Sequence, residues 1–178
     1  MTEGDITIIM PNWIEGTLKV RGPYNNVKDF FVKGLNDYRY VADGSELGDY
    51  VKIPKNEWME VVEDDDGCEI HINRDHDSLH IDGTKRAFVH DTTYIEILKE
   101  KDPLKVYTCC KVKQAWEFRV LDWVKLAKHY CVDIRIWGLE RGIEFGQEIE
   151  ILDGKVTLEK TLKFKDWDWE APIPWLGG

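Results

Sequence analysis

Ten carboxylates crowd one stretch of the sequence: Glu57, Glu60, Glu63, Asp64, Asp65, Asp66, Glu69, Asp75, Asp77 and Asp82. Only Arg74 opposes them, so this window carries −9 of the chain's formal −10. Carboxylates spaced this closely on a solvent face imitate a run of phosphates. Their chemistry is electrostatic: they steer and hold a Lys- and Arg-rich surface. The residues expected to make those contacts are Glu63, Asp64, Asp65, Asp66, Glu69, Asp75, Asp77 and Asp82. The partner this implies is a basic nucleic-acid-handling protein, which keeps its polynucleotide in a positive channel.

A second chemistry overlaps the first. His71, His76, His80 and His90 fall within 20 residues, among Asp75, Asp77, Asp82 and Asp91. Histidine and carboxylate together suit zinc or manganese, and a metal so held can assist phosphodiester cleavage. No H-E-x-x-H or comparable spacing is present. The expectation is therefore no metal, no cofactor and no catalytic residue, with a metal-binding protein or metal-dependent nuclease as the alternative. Histidines there would also make a partner surface sensitive to pH.

Other catalytic constellations are missing. Ser45 and Ser78 are the only serines, and neither sits in a G-x-S-x-G elbow. The glycines form neither a Walker loop nor G-x-G-x-x-G. Cys68, Cys109, Cys110 and Cys131 form no C-x-x-C pair and read as reduced thiols. Near the end, Trp167, Trp169 and Trp175 alternate with Asp166, Asp168 and Glu170. Those acids disfavour base stacking, so the tail reads as a strap over a sheet or a dimer contact.

These residues need a scaffold, and the composition allows one. The 178 residues are 43% hydrophobic and 33% charged, with eight Trp, seven Tyr and six Phe, which rules out a wholly disordered chain. No apolar run approaches a membrane span, and no basic start leads into one, so a cytoplasmic protein without a signal peptide is expected. The acidic balance disfavours unspecific binding to nucleic acid.

Residues 14–21 alternate and predict a strand, and Gly22-Pro23 stops it. Val27, Phe30, Phe31 and Leu35 recur at helical spacing, predicting a helix over 24–38. The Trp58 to Val62 run predicts a strand leading into Asp64-Asp65-Asp66-Gly67. Ile70 and Ile72, then Leu79 and Ile81, predict a hairpin that puts His71 and His80 on one wet face. Residues 85–90 add a strand, and 94–101 read as a short helix closed by Asp102-Pro103. Strands over 105–113 and 132–137 flank a helix over 116–130, and 143–152 with 155–164 make a long hairpin around Asp153-Gly154.

Met10-Pro11-Asn12-Trp13, followed by a strand and Gly22-Pro23, resembles the M-P-N-W opening of the YubB-like ferredoxin-fold family. Thr108, Trp116 and the helix after them, Asp133 to Trp137, and Glu140, Gly142, Phe145 and Gly146 resemble that family's strand–Trp–helix–strand stretch with its E-x-G-x-x-x-G tail. The likeness covers residues 10–38 and 105–152. Ile14 stands where the family usually has Cys, and Glu117 follows Trp116 where a Pro-rich segment is usual.

The resemblance implies a protein of bacterial mobile elements such as phages and plasmids. Some proteins similar to this family act as anti-CRISPR inhibitors of type II effector nucleases. It supplies no catalytic set. The reading is thus one α+β domain over 1–178: a ferredoxin-like β-α-β-β-α-β sheet with two helices on one face, an acidic strand-rich insertion over 39–104 and a C-terminal hairpin. Its expected function is inhibition of a type II CRISPR effector through the acidic surface. A non-enzymatic accessory binding module of phage or plasmid biology is the further alternative.

Overall fold

Alternation along β1 (Trp13–Arg21) buries Ile14, Leu18 and Val20 on one face. The computed structural model containing this strand describes residues 12–41, 49–73, 78–100, 102 and 106–178. Gly16 lies opposite Gly138, and a Cβ there would collide with the Trp137 carbonyl, so the strand crossing needs glycine. Pro23 precedes α1 (Tyr24–Gly34), which buries Val27, Phe30 and Phe31. The helix ends earlier than its apolar spacing predicts, because Leu35 turns extended and starts β2 (Leu35–Asn36).

Then come β3 (Tyr38–Val41), β4 (Asp49–Lys52), a 3-10 turn over Lys55–Glu57, β5 (Met59–Glu63) and β6 (Gly67–Ile72). β7 (Ser78–Ile81), β8 (Ala87–His90), β9 (Tyr94–Leu98) and β10 (Tyr107–Ala115) follow. After α2 (Val120–Tyr130) the chain forms β11 (Asp133–Glu140), β12 (Phe145–Leu152), β13 (Lys155–Lys163) and the short α3 (Trp167–Glu170).

The fold is α+β, and its strand pairs are antiparallel. An eight-stranded sheet runs β13-β12-β11-β1-β10-β8-β7-β2, beside a β3-β4 pair and a three-stranded β5-β6-β9 sheet. The predicted hairpin around Asp153-Gly154 is present as β12 and β13. α1 and α2 meet through Phe30 and Tyr130, with ring centroids 5.4 Å apart. One apolar core takes in both helices, the inner residues of the large sheet, and Cys68, Ile70, Ile72, Ile95 and Ile97 of the small one. Among the described residues no helix is long and apolar enough to cross a membrane.

Three expectations are corrected. β6 pairs with β5 and β9, whereas β7 pairs with β8 and β2, so 70–72 and 79–81 do not form a hairpin. Their apolar alternation fits many antiparallel neighbours, and only the packing of the rest of the chain selects among them. Residues 94–98 are strand and not helix: Ile95 and Ile97 alternate inward with period two. The segment 39–104 is not one inserted unit either, since β7 and β8 belong to the main sheet while β5, β6 and β9 form their own.

α2 begins at Val120, later than predicted, because polar side chains pin the preceding loop. Gln147 Oε1 accepts from the Phe118 N–H at 2.8 Å, and its Nε2 donates to the Phe118 carbonyl at 3.0 Å. The tail straps the other side of the sheet, where Trp167 and Ala171 pack with Leu139. The Gly178 and Trp13 backbones exchange hydrogen bonds at 2.9 and 3.1 Å. Trp167 is therefore the sheet-packing residue expected of the tail, while Trp169 and Trp175 stay 86% and 74% exposed.

Candidate functional site

The acidic tip is built by the β5-β6 connection. Asp64 Oδ1 accepts the N–H groups of Asp66 and Gly67, both at 2.9 Å, an Asx-type turn that lets the two strands reverse. Gly67 is required because a Cβ would strike the Ile97 carbonyl. Lys99 fastens the turn from β9's end: its N–H donates to the Asp66 carbonyl at 2.7 Å and its Nζ to the Asp64 carbonyl at 2.6 Å. The backbone is thereby fixed, and the exposed Asp65 and Asp66 carboxylates face solvent.

The predicted contact residues do not all share this tip. Glu63 pairs with the Lys28 ammonium and accepts from the Tyr24 hydroxyl at 3.0 Å. Those two partners, Lys28 first, hold its carboxyl below the usual carboxylate range. Its charge is spent on α1, and little is left for a partner. Asp64 acts mainly as the turn former. Glu69 accepts from Tyr94 Oη and meets His71 Nε2, each at 3.0 Å. Asp82 lies in another sheet, where its Oδ1 accepts the Gly83 N–H at 3.1 Å in the turn after β7. Asp75 and Asp77 fall outside the described residues.

The register adds residues that the sequence reading passed over. Glu60, His71 and Tyr94 form one row across the small sheet, and Val62, Glu69 and Glu96 form the next. Opposed residues in an antiparallel sheet point to one side. The outer face thus carries Glu60, Glu69 and Glu96 around the 48% exposed Val62. Glu96 and Tyr94 were hidden by the helical reading of 94–101, although the alternation Tyr-Ile-Glu-Ile-Leu was the available signal.

The histidines separate. His71 sits on the small sheet and His80 on the large one, so the shared face expected of them does not exist. His90 is buried in β8, its Nδ1 3.6 Å from Asp91 Oδ2. Among the described residues no three His, Cys, Asp or Glu side chains come together as a metal site. His76 lies outside the described residues.

Burial pulls the His80 and His90 imidazoles below the usual histidine range. The unfolded chain therefore takes up protons that the folded chain refuses, and stability falls as pH drops through the ordinary histidine value. Melting temperature is expected to decline from pH 7.5 to 5.5, and His90→Gln to flatten that decline. A melting temperature flat over this window in the unaltered chain contradicts the assignment.

Comparison of the chain with family models, with curated proteins and with solved structures returns no match.

Proposed function

We propose that this chain is a non-catalytic inhibitor that docks the acidic outer face of its small sheet on a basic nucleic-acid-handling protein. The observation that carries the reading is the fixed turn presenting Asp65 and Asp66 beside the acidic face of Glu60, Glu69 and Glu96. A turn already held by Asp64 and Lys99 loses little entropy on binding, which favours affinity. Carboxylates around exposed Val62 offer a charged rim with an apolar centre.

The YubB-like resemblance points to a type II CRISPR effector as the partner and a bacterial mobile element as the source. The expected step is obstruction of guide or target handling. Support for a ferredoxin-like core comes from four neighbouring strands, β11-β1-β10-β8, with α1 following β1 and α2 joining β10 to β11. The remaining four strands extend that core on both sides.

Co-purification with a type II effector, with and without guide RNA and at low and high salt, tests partner and mechanism together. The Glu60→Gln, Asp65→Asn, Asp66→Asn triple variant leaves the turn-forming Asp64 intact. It is expected to weaken capture by about tenfold or more at low salt, because complementary charge sets encounter and register. Unchanged capture removes the acidic-face mechanism, and no capture of any effector by the unaltered chain removes the partner.

A further inference from the structure

The face of the large sheet turned away from the helices carries a row of side chains set by register. Asn36 opposes His80, His80 opposes Phe88, and Phe88 opposes Lys113. The aromatic rings continue sideways: Tyr38 to His80 at 5.8 Å, His80 to Phe88 at 5.5 Å and Phe88 to Trp13 at 5.8 Å. An open cavity of about 570 Å³ lies at this row, lined by Asn36, Tyr38, Tyr50, His80, Arg86 and Phe88. Asp37 also borders it, with its Oδ1 accepting the Tyr38 N–H at 2.9 Å.

Polar atoms in this wall lack protein partners. Asn36 is fully buried, and neither its Nδ2 nor its Oδ1 has a hydrogen bond. His80 Nδ1 is buried and unpartnered as well. Such groups are destabilising when unpaired, and native structures keep few of them without a use. His80 Nε2 lies 3.3 Å from the Thr84 carbonyl, which can only accept, so Nε2 carries the proton. In the neutral ring favoured by burial, Nδ1 is then a bare acceptor. The wall offers two acceptors and one donor: Asn36 Oδ1, His80 Nδ1 and Asn36 Nδ2.

A second cavity, of about 400 Å³, shares Arg86 with the first and is lined by Lys85, Trp116, Glu117 and Arg119. Three cations converge there against one carboxylate. Arg86 also stands 5.6 Å from the Trp13 ring centroid, and Lys113 Nζ 5.5 Å from it.

We propose that the two cavities form one nucleotide site, which takes an adenine base in the first and its phosphate in the second. The exocyclic amine has two protons, one for Asn36 Oδ1 and one for His80 Nδ1. The neighbouring ring nitrogen accepts from Asn36 Nδ2, the side-chain pairing an amide makes with adenine. Phe88 supplies a stacking surface. Arg86 holds the phosphate with its planar fork, helped by Lys85 and Arg119. A base with a carbonyl in place of the amine would point an acceptor at two acceptors, so hypoxanthine is rejected. The site uses none of the acidic residues and stands independently of the inhibitor reading. Its ligand chemistry has two sources, a free nucleotide or an adenine within a single strand.

Tryptophan fluorescence and calorimetric titration of the full chain test it, using adenosine monophosphate, inosine monophosphate, and single-stranded oligodeoxyadenylate and oligodeoxyinosine. Adenosine monophosphate is expected to bind, and inosine monophosphate to bind about tenfold weaker or less well still. Tighter binding of the oligodeoxyadenylate than of the mononucleotide identifies a strand as the source, and equal binding identifies the free nucleotide. Asn36→Leu is expected to abolish binding while keeping or raising the melting temperature, since it removes an unpaired amide. His80→Phe should lose the adenine-over-hypoxanthine preference, and Arg86→Gln should weaken the nucleotide about tenfold while sparing adenosine. No binding of either adenine probe, equal binding of the two monophosphates, or full binding by a folded Asn36→Leu chain overturns the proposal.

Discussion

Gln114→Leu is expected to destabilise the chain by about 3–5 kcal/mol, with a melting temperature lower by about 10 °C. Gln114 is fully buried in β10 and has partners on both ends of its amide. Its Oε1 accepts from Trp123 Nε1 at 3.0 Å and from the Arg119 N–H at 3.1 Å. Its Nε2 donates to the Lys85 carbonyl at 3.1 Å and to Asp122 Oδ2 at 3.4 Å. Leucine fills a similar volume but satisfies none of these groups. The Trp123 indole is itself wholly buried, so its N–H has no solvent to turn to. Each buried group left unpaired costs about 1–3 kcal/mol, which places the variant above the usual range for single substitutions. Thermal and urea denaturation followed by circular dichroism give the number. A loss under about 1 kcal/mol would show that the loop before α2 relaxes and finds other partners.

Glu140→Ala carries the second large effect, about 3–4 kcal/mol. Glu140 is fully buried at the end of β11, yet its two oxygens accept the Gly142 N–H at 2.7 Å and the Ile143 N–H at 2.6 Å. The carboxylate replaces its lost hydration with two charge-assisted backbone hydrogen bonds, the stronger kind. Gly142 completes the arrangement, because a Cβ there would collide with the Asn12 amide and crowd Glu140 itself. Alanine leaves both N–H groups unpaired and opens a cavity. Glu140→Gln is expected to recover part of the loss, since one amide oxygen accepts while the NH₂ faces a donor. Equal melting temperatures for the alanine variant and the unaltered chain would overturn this account. The consequence for function is direct. The Glu-x-Gly spacing that carried much of the family resemblance is explained by a turn. Substitutions there test folding, whereas Glu60, Asp65, Asp66, Asn36 and Arg86 test binding.

The two proposed surfaces were unequally legible. Crowding of charge at Asp64–Asp66 is visible in the residues alone, because a turn that rich in Asp with Gly67 behind it has to reverse in solvent. Which of those acids remain available was not visible. Lys28, 35 positions away, neutralises Glu63, and Tyr94 occupies Glu69. Such pairings depend on α1 and β9 packing against the small sheet. Asn36 could not be found at all from spacing, since it follows a helix whose apolar period ran on past it. Its meaning arises from three successive strand pairings that bring it beside His80, Phe88 and Lys113.

Local pattern by itself determined where the chain is extended or helical. β1, β12 and β13 alternate with period two, α1 and α2 repeat near 3.6, and Gly-Pro and Asp-Gly punctuate them. It also determined that the negative charge is concentrated and that no common nucleophile motif is present. Tertiary structure alone decided the partners of the middle strands, sending 67–72 to one sheet and 78–81 to another and parting His71 from His80. The physical reason is the range of the forces. Side-chain alternation and turn chemistry act within a few residues, whereas strand pairing is settled by which apolar faces can be buried together across the whole chain.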